Sequence, residues 1–120
     1  MKILKCHCGA IEAEINISDD LVKILKCNCS ICKRKGAVMS MVKNEDFKIT
    51  KGQNVLKLYQ FHSKVAKHYF CSNCGIYTHH KRCSDSNSFC YNLGCIEVID
   101  AASIADIRLI DGASMSLIDD

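Results

Sequence analysis

Apolar and polar residues alternate with period two along most of this chain. Ile11, Ala13, Ile15 and Ile17 are interleaved with Glu12, Glu14 and Asn16, the pattern of a strand with one buried face. Residues 37–42, 55–62, 65–70, 76–80 and 89–98 read as further short strands, and 104–111 as a last, weaker one. Residues 21–26 lead straight into a cysteine cluster. Residues 44–47 read as a turn or a single helical turn, and Lys51-Gly52-Gln53-Asn54 has turn chemistry. Many short strands separated by turns predict a mainly β domain. Repeats, low-complexity segments and prolines are absent. One domain is expected over 1–112, with 113–120 as a C-terminal tail that carries no readable signal.

Ten cysteines interrupt this pattern, and seven fall in three tight groups: Cys6-His7-Cys8-Gly9, Cys27-Asn28-Cys29-Ser30-Ile31-Cys32 and Cys71-Ser72-Asn73-Cys74-Gly75. Read as zinc ligands, four thiolates make one closed structural site and three make a second site with an open position, the arrangement in which a metal meets a substrate. A 120-residue chain buries only about two-thirds of its unfolded surface. A structural zinc, on the order of 10 kcal/mol of apparent binding energy, therefore outweighs any single disulfide.

A disulfide scaffold is the main competitor. Against it, the N-terminus offers only Ile3 and Leu4 as an apolar stretch, too short for a signal-peptide core, and close cysteine pairs are the metal or redox pattern of reduced compartments. A cytoplasmic location is expected. No run approaches the roughly 18 apolar residues of a membrane span. The formal charge is +3, and seven thiolates with two zinc ions bring it near zero. Basic residues are scattered apart from Lys33-Arg34-Lys35 and Lys81-Arg82, so no nucleic-acid partner is expected.

On a strand, residues i and i+2 face the same side, so Cys6 with Cys8, and Cys27 with Cys29, are expected to point at a common metal. Cys71-x-x-Cys74-Gly75 has zinc-knuckle spacing, with Gly75 at a position tolerant of positive φ. Joining this knuckle to Cys6 and Cys8 ties the first strand to the middle of the chain. The middle cluster grips an ion with three sulfurs. Its fourth ligand is left open between water, a substrate thiol, and Cys83, Cys90 or Cys95.

These clusters in series, with Ile76-Tyr77-Thr78-His79-His80-Lys81-Arg82 and Asn92-Leu93-Gly94-Cys95, resemble the glutathione-dependent formaldehyde-activating enzyme family, which includes centromere-protein-V-like members. The resemblance reaches across about the first hundred residues. It implies a β-tent of two to three small antiparallel sheets joined by a structural zinc on Cys6, Cys8, Cys71 and Cys74. It further implies a second, more labile zinc on Cys27, Cys29 and Cys32 at the active site. The implied reaction is carbon–sulfur lyase chemistry, forming S-hydroxymethylglutathione from glutathione and formaldehyde. Cys95 matches the family pattern and is expected either as a buried thiol or lining the second zinc.

The chain also departs from that pattern. Cys83 and Cys90 match no family ligand and read as small buried side chains. Gly94 replaces an arginine of some relatives, which bears on glutathione specificity, and Asp111-Gly112 is followed by Ala113-Ser114 where relatives carry Asn-His. Of His79 and His80 only one can face the site. His7 is expected exposed, and His62 and His68 as strand residues. Lys33, Arg34 and Lys35 read as a solvated loop, or as an attractor of a substrate carboxylate. Two further functions compete with the lyase: a non-catalytic zinc module that binds a partner, and a redox or metal-buffering protein.

Overall fold

The computed structural model describes residues 1–17, 24–61, 64–82, 85–100, 104 and 106–114. His62, Cys83 and residues 115–120 lie outside them, as do the start of the expected 21–26 segment and part of 104–111.

Among the described residues ten strands and one α-helix follow one another: β1 (Lys2–Lys5), β2 (Glu12–Ile15), β3 (Leu25–Cys27), α1 (Ser30–Lys35), β4 (Met39–Lys43), β5 (Phe47–Lys51), β6 (Leu56–Tyr59), β7 (Lys67–Cys71), β8 (Tyr77–Arg82), β9 (Asp85–Asn92) and β10 (Arg108–Ile110). A single 3₁₀ turn, Asn44–Asp46, joins β4 to β5, as expected for residues 44–47. The strands form two sheets, one ordered β1-β2-β5 and one ordered β10-β3-β4-β9-β8-β7-β6. Neighbours pair antiparallel, with the exception of β10, which runs parallel to β3.

The alternation read along residues 11–17 is carried out by β2. Ala13 and Ile15 are fully buried while Glu12 and Glu14 face outward. With Leu4 and Phe47 they form the small-sheet half of the main core, against Val42, Tyr91, Leu93 and Ile96 from the large sheet and the turn after it. A second cluster, Leu25, Cys29, Cys32 and Met39, lies under α1. A third surrounds Cys6, Ile11 and Cys71, where the end of β1 meets the end of β7.

Three expectations are corrected. The strand expected over 89–98 starts earlier and ends at Asn92, because the Asn92 side chain accepts from Gly94 N at 3.0 Å and turns Leu93–Cys95 into a 3₁₀ turn. Cys95 therefore sits in a turn, not on a strand. Cys6 and Cys8 do not lie on a strand either. β1 stops at Lys5, and Gly9 N bonds to Cys6 O at 3.1 Å in a tight turn. Lys33, Arg34 and Lys35 form the last turn of α1, where their charge complements the helix C-terminus. Gly36 ends that helix at φ 64, the left-handed cap that glycine adopts without strain.

Candidate functional site

The two cysteine half-sites at the ends of β1 and β7 close on each other. Gly75 N bonds to Cys71 O at 2.7 Å, and both Gly9 and Gly75 have φ 79, so the two turns aim their sulfurs alike. The Sγ atoms of Cys6, Cys8, Cys71 and Cys74 all lie within 4.8 Å of one another. Cys6 and Cys8 are 3.6 Å apart and Cys8 and Cys71 3.7 Å. A tetrahedron of sulfurs about 2.3 Å from zinc has edges of roughly 3.8 Å, so the group is compatible with a four-cysteine metal site.

Hydrogen bonding tunes these thiols. The Asn73 side chain, then the backbone at Ala10, draw the exposed Cys8 thiol down to about 6. Burial pushes Cys74 up, but backbone bonds at Cys8 and Ile76 outweigh it and leave a lowered value. Burial lifts Cys71 to about 11. Ile11 N also donates to Cys6 Sγ at 3.3 Å, the kind of donor that supports a metal thiolate.

The middle cluster is built differently. Cys27 ends β3, Cys29 is the N-cap of α1 and Cys32 lies in its first turn. A strand-to-helix junction, not strand alternation, brings the three sulfurs within 4.8 Å of one another. Cys29 N approaches Cys27 Sγ at 3.5 Å, and Cys32 N donates to Cys29 Sγ at 3.4 Å. Sulfur here takes the capping role usually filled by a side-chain oxygen. Burial pushes the Cys27 thiol up. The hydrogen bond to Cys29, then burial, do the same for Cys32. Cys27 and Cys32, both with raised values and crowded against Cys29, need a cation beside them to ionise together. Among the described residues no further His, Cys, Asp or Glu completes this group.

The C-terminal residues close over it. Asn28 Nδ2 donates to Asp111 Oδ1 at 2.9 Å, Ala113 N donates to Asn28 Oδ1 at 3.0 Å, and Asn28 N donates to Ile110 O at 3.1 Å. Gly112 is pressed so near that a Cβ there would lie 2.5 Å from Cys27 Sγ and 3.0 Å from Cys29 Cβ. Gly112 thus packs directly on the cysteine cluster, and Asn28 is a positioning residue that the cysteine spacing did not single out. Its place between Cys27 and Cys29 was the available signal.

Behind Cys27 and Cys32 lies a hollow of about 10 Å³, room for one water at most, walled by Met39, His80, Arg82 and Cys90. Cys90, not Cys95, borders this space. Cys95 packs in the inter-sheet core, and its thiol is lifted to about 12 by burial and then by Cys6 and Cys74. Its Sγ approaches Tyr77 O at 3.7 Å. Cys95 is thus a buried thiol, one of its two expected readings, and the break in the strand after Asn92 turns it toward the first cluster.

An extra residue in β8 at Thr78, opposite the step from Tyr69 to Phe70, shifts the strand's alternation. Tyr77 and His80 then share a face, with Tyr77 Oη 2.6 Å from His80 Nδ1. His80 borders the hollow, whereas His79 stacks on Tyr69 at 4.6 Å and meets Phe47 at 4.7 Å in the core. His68 is buried and stacks between Phe61 and His80, at 5.7 and 5.0 Å. Burial, then Lys35, hold His68 and His79 at about 3 and His80 well below its usual value. All three rings are neutral at pH 7. His7 is exposed, as expected.

The model for the glutathione-dependent formaldehyde-activating enzymes matches residues 1–108. The chain belongs to that family. A relative from Emericella nidulans, whose name gives it provisionally as such an enzyme, is 28% identical over 78 residues, 62% of this chain and 39% of the relative. The chain thus spans well under half of that relative's length. The fold is shared with a crystal structure of a Rhodobacter sphaeroides protein at a TM-score of 0.85 and 34% identity, over 90% of this chain and 99% of that one. Its description names no activity. No helix among the described residues is long and apolar enough to cross a membrane.

Proposed function

We propose that this family member is a zinc-dependent carbon–sulfur lyase acting on a thiol–aldehyde adduct, with glutathione and formaldehyde as its substrates in a cytoplasmic, reducing setting. Family membership supports the substrates, and the three-sulfur group of Cys27, Cys29 and Cys32 carries the reading. Cys6, Cys8, Cys71 and Cys74 would hold a structural zinc joining the two sheets, and Cys27, Cys29 and Cys32 a second one.

In the synthetic direction the S–H bond of the thiol breaks, a C–S bond forms to the aldehyde carbon, and the proton passes to the carbonyl oxygen, giving a hydroxymethyl thioether. A zinc ion held by Cys27, Cys29 and Cys32 would supply deprotonation of a coordinated thiol or polarisation of the carbonyl. The protein's part is placement. α1 fixes Cys29 and Cys32, Gly112 and the Asn28 clamp cover one side, and the neutral His80 ring, held by Tyr77, walls the other. Held together, the two reactants meet in an effectively unimolecular step. The test is exchange of ¹³C-formaldehyde with S-hydroxymethylglutathione followed by NMR. Acceleration of about tenfold or more over the free reaction, lost in Cys29→Ser, is expected. No acceleration at any enzyme concentration would remove the reading.

A redox reading is favoured by one observation, the shared hollow of Cys90 with Cys27 and Cys32. It calls for a disulfide from Cys90 to one of them when metal-free protein is treated with a mild thiol oxidant. Peptide mapping that finds Cys90 still reduced would exclude it.

A further inference from the structure

β1 is an outer strand of the small sheet, paired to β2 on one side. On its other side the pairing among the described residues is a single bridge, Leu4 to Ile96. Beside that bridge lies a hollow of about 360 Å³ lined by Met1, Lys2, Ile3, Lys5, Glu97 and Val98. Leu4 is committed to the core, so strand alternation turns Ile3 outward. Ile3 is 42% exposed and Val98 77%. A lone exposed apolar side chain needs no explanation. Here two from distant parts of the chain border one hollow, which is the beginning of an interaction surface.

Charge says what covers it. Lys2 and Lys5 border the hollow on its strand side and Glu97 on its turn side. Lys5 already pairs with Glu12 at 3.3 Å. A partner of one charge sign would meet repulsion on one of the two sides. A second copy turned through a twofold axis meets none. Its turn side then faces the strand side of the first, and the same contact is made twice, as an isologous dimer requires.

We infer that this face joins two copies of the chain in a twofold dimer, with Val98 of each seated in the other's hollow and Lys2 of each set against Glu97 of the other. Six residues border the hollow, fewer than the roughly 20–30 a side of a standard interface, so the dimer dissociates on dilution. None of the clustered cysteines lines the hollow, and the inference is independent of the lyase reading.

The test is sedimentation velocity of the zinc-loaded full chain over a hundredfold range of concentration up to about 1 mM. The wild type is expected to pass reversibly from monomer to dimer. Val98→Asp places a charge in the hollow, while Glu97→Lys and Lys2→Glu set like charges face to face. Each should weaken association about tenfold or more. Mixing Glu97→Lys with Lys2→Glu should restore it, because unlike charges then meet at both ends of the twofold. Glu97 and Val98 are exposed, and urea midpoints of dilute protein near the wild-type value separate lost association from lost folding. A wild type that stays monomeric throughout would overturn the inference and leave the face to a different partner. So would a dimer that Val98→Asp does not weaken, or a mixture that associates no better than either charge variant alone.

Discussion

Asn28 and Asp111 are 83 residues apart in sequence and joined by a 2.9 Å hydrogen bond. This bond, with that from Ala113 N to Asn28 Oδ1, fastens the end of the described chain across the cysteine cluster on either side of Asn28. Replacing Asn28 by Ala removes both side-chain bonds. A destabilisation of about 1–2 kcal/mol is expected, measured as a shift in the denaturation midpoint. Release of the second metal to a chelator should quicken while release of the first is unchanged.

Gly112 gives a sharper version of the same prediction. A Cβ at this position would meet Cys27 Sγ at 2.5 Å, closer than packed atoms approach. Gly112→Ala should lower the zinc content by the second site only, read by elemental analysis with the four-cysteine site as internal control. Full occupancy of both sites would show that residues 112–114 do not press on the cluster.

Metal removal should expose a graded set of thiols. Cys8 is exposed and drawn to about 6 by the Asn73 side chain, while Cys95 is buried and raised to about 12. In metal-free protein at pH 7, iodoacetamide should therefore modify Cys8 early and Cys95 last, by mass-spectrometric mapping. Asn73→Ala should slow the Cys8 reaction, because the largest cause of its lowered value is gone.

Stability should fall with acid in a defined window. His79 titrates at about 3 in the folded protein because burial disfavours its cation, against about 6.5 unfolded. Between those values the unfolded chain binds more protons, so stability is full above about 6.5 and declines as pH falls toward 3, by up to about 1.4 kcal/mol per pH unit for one histidine. His79→Phe suits a site already lined by Phe47, Tyr69 and Phe89. It should make the decline shallower by up to that amount, seen in urea midpoints from pH 7 to 4. An unchanged slope would mean that His79 does not drive the acid loss.

Much of this fold was legible because its signals are local. The alternation of residues 11–17 survives as β2, and the knuckle of Cys71 to Gly75 reads directly from spacing. The family was recognisable from the order of the clusters. What escaped the sequence depends on contacts made in three dimensions. α1 is too short for a helical period to show, and it exists because Cys29 caps it and Gly36 ends it. Cys95 was expected on a strand that the Asn92 side chain in fact breaks. The extra residue at Thr78, which sends Tyr77 and His80 to one face, leaves no mark on the hydrophobic pattern. The parallel pairing of β10 with β3 joins segments too far apart in sequence for periodicity to link them.

The proposed chemistry depends on Cys27, Cys29 and Cys32 holding a second zinc with a position open to a thiol. The most direct test is zinc content by elemental analysis of wild type and Cys29→Ser, together with the visible spectrum of protein carrying cobalt at the second site, with and without glutathione. Two zinc ions falling to one in the variant, and a cobalt spectrum that changes when glutathione is added, are expected. Two zinc ions retained in Cys29→Ser, or a cobalt spectrum indifferent to glutathione, would contradict it.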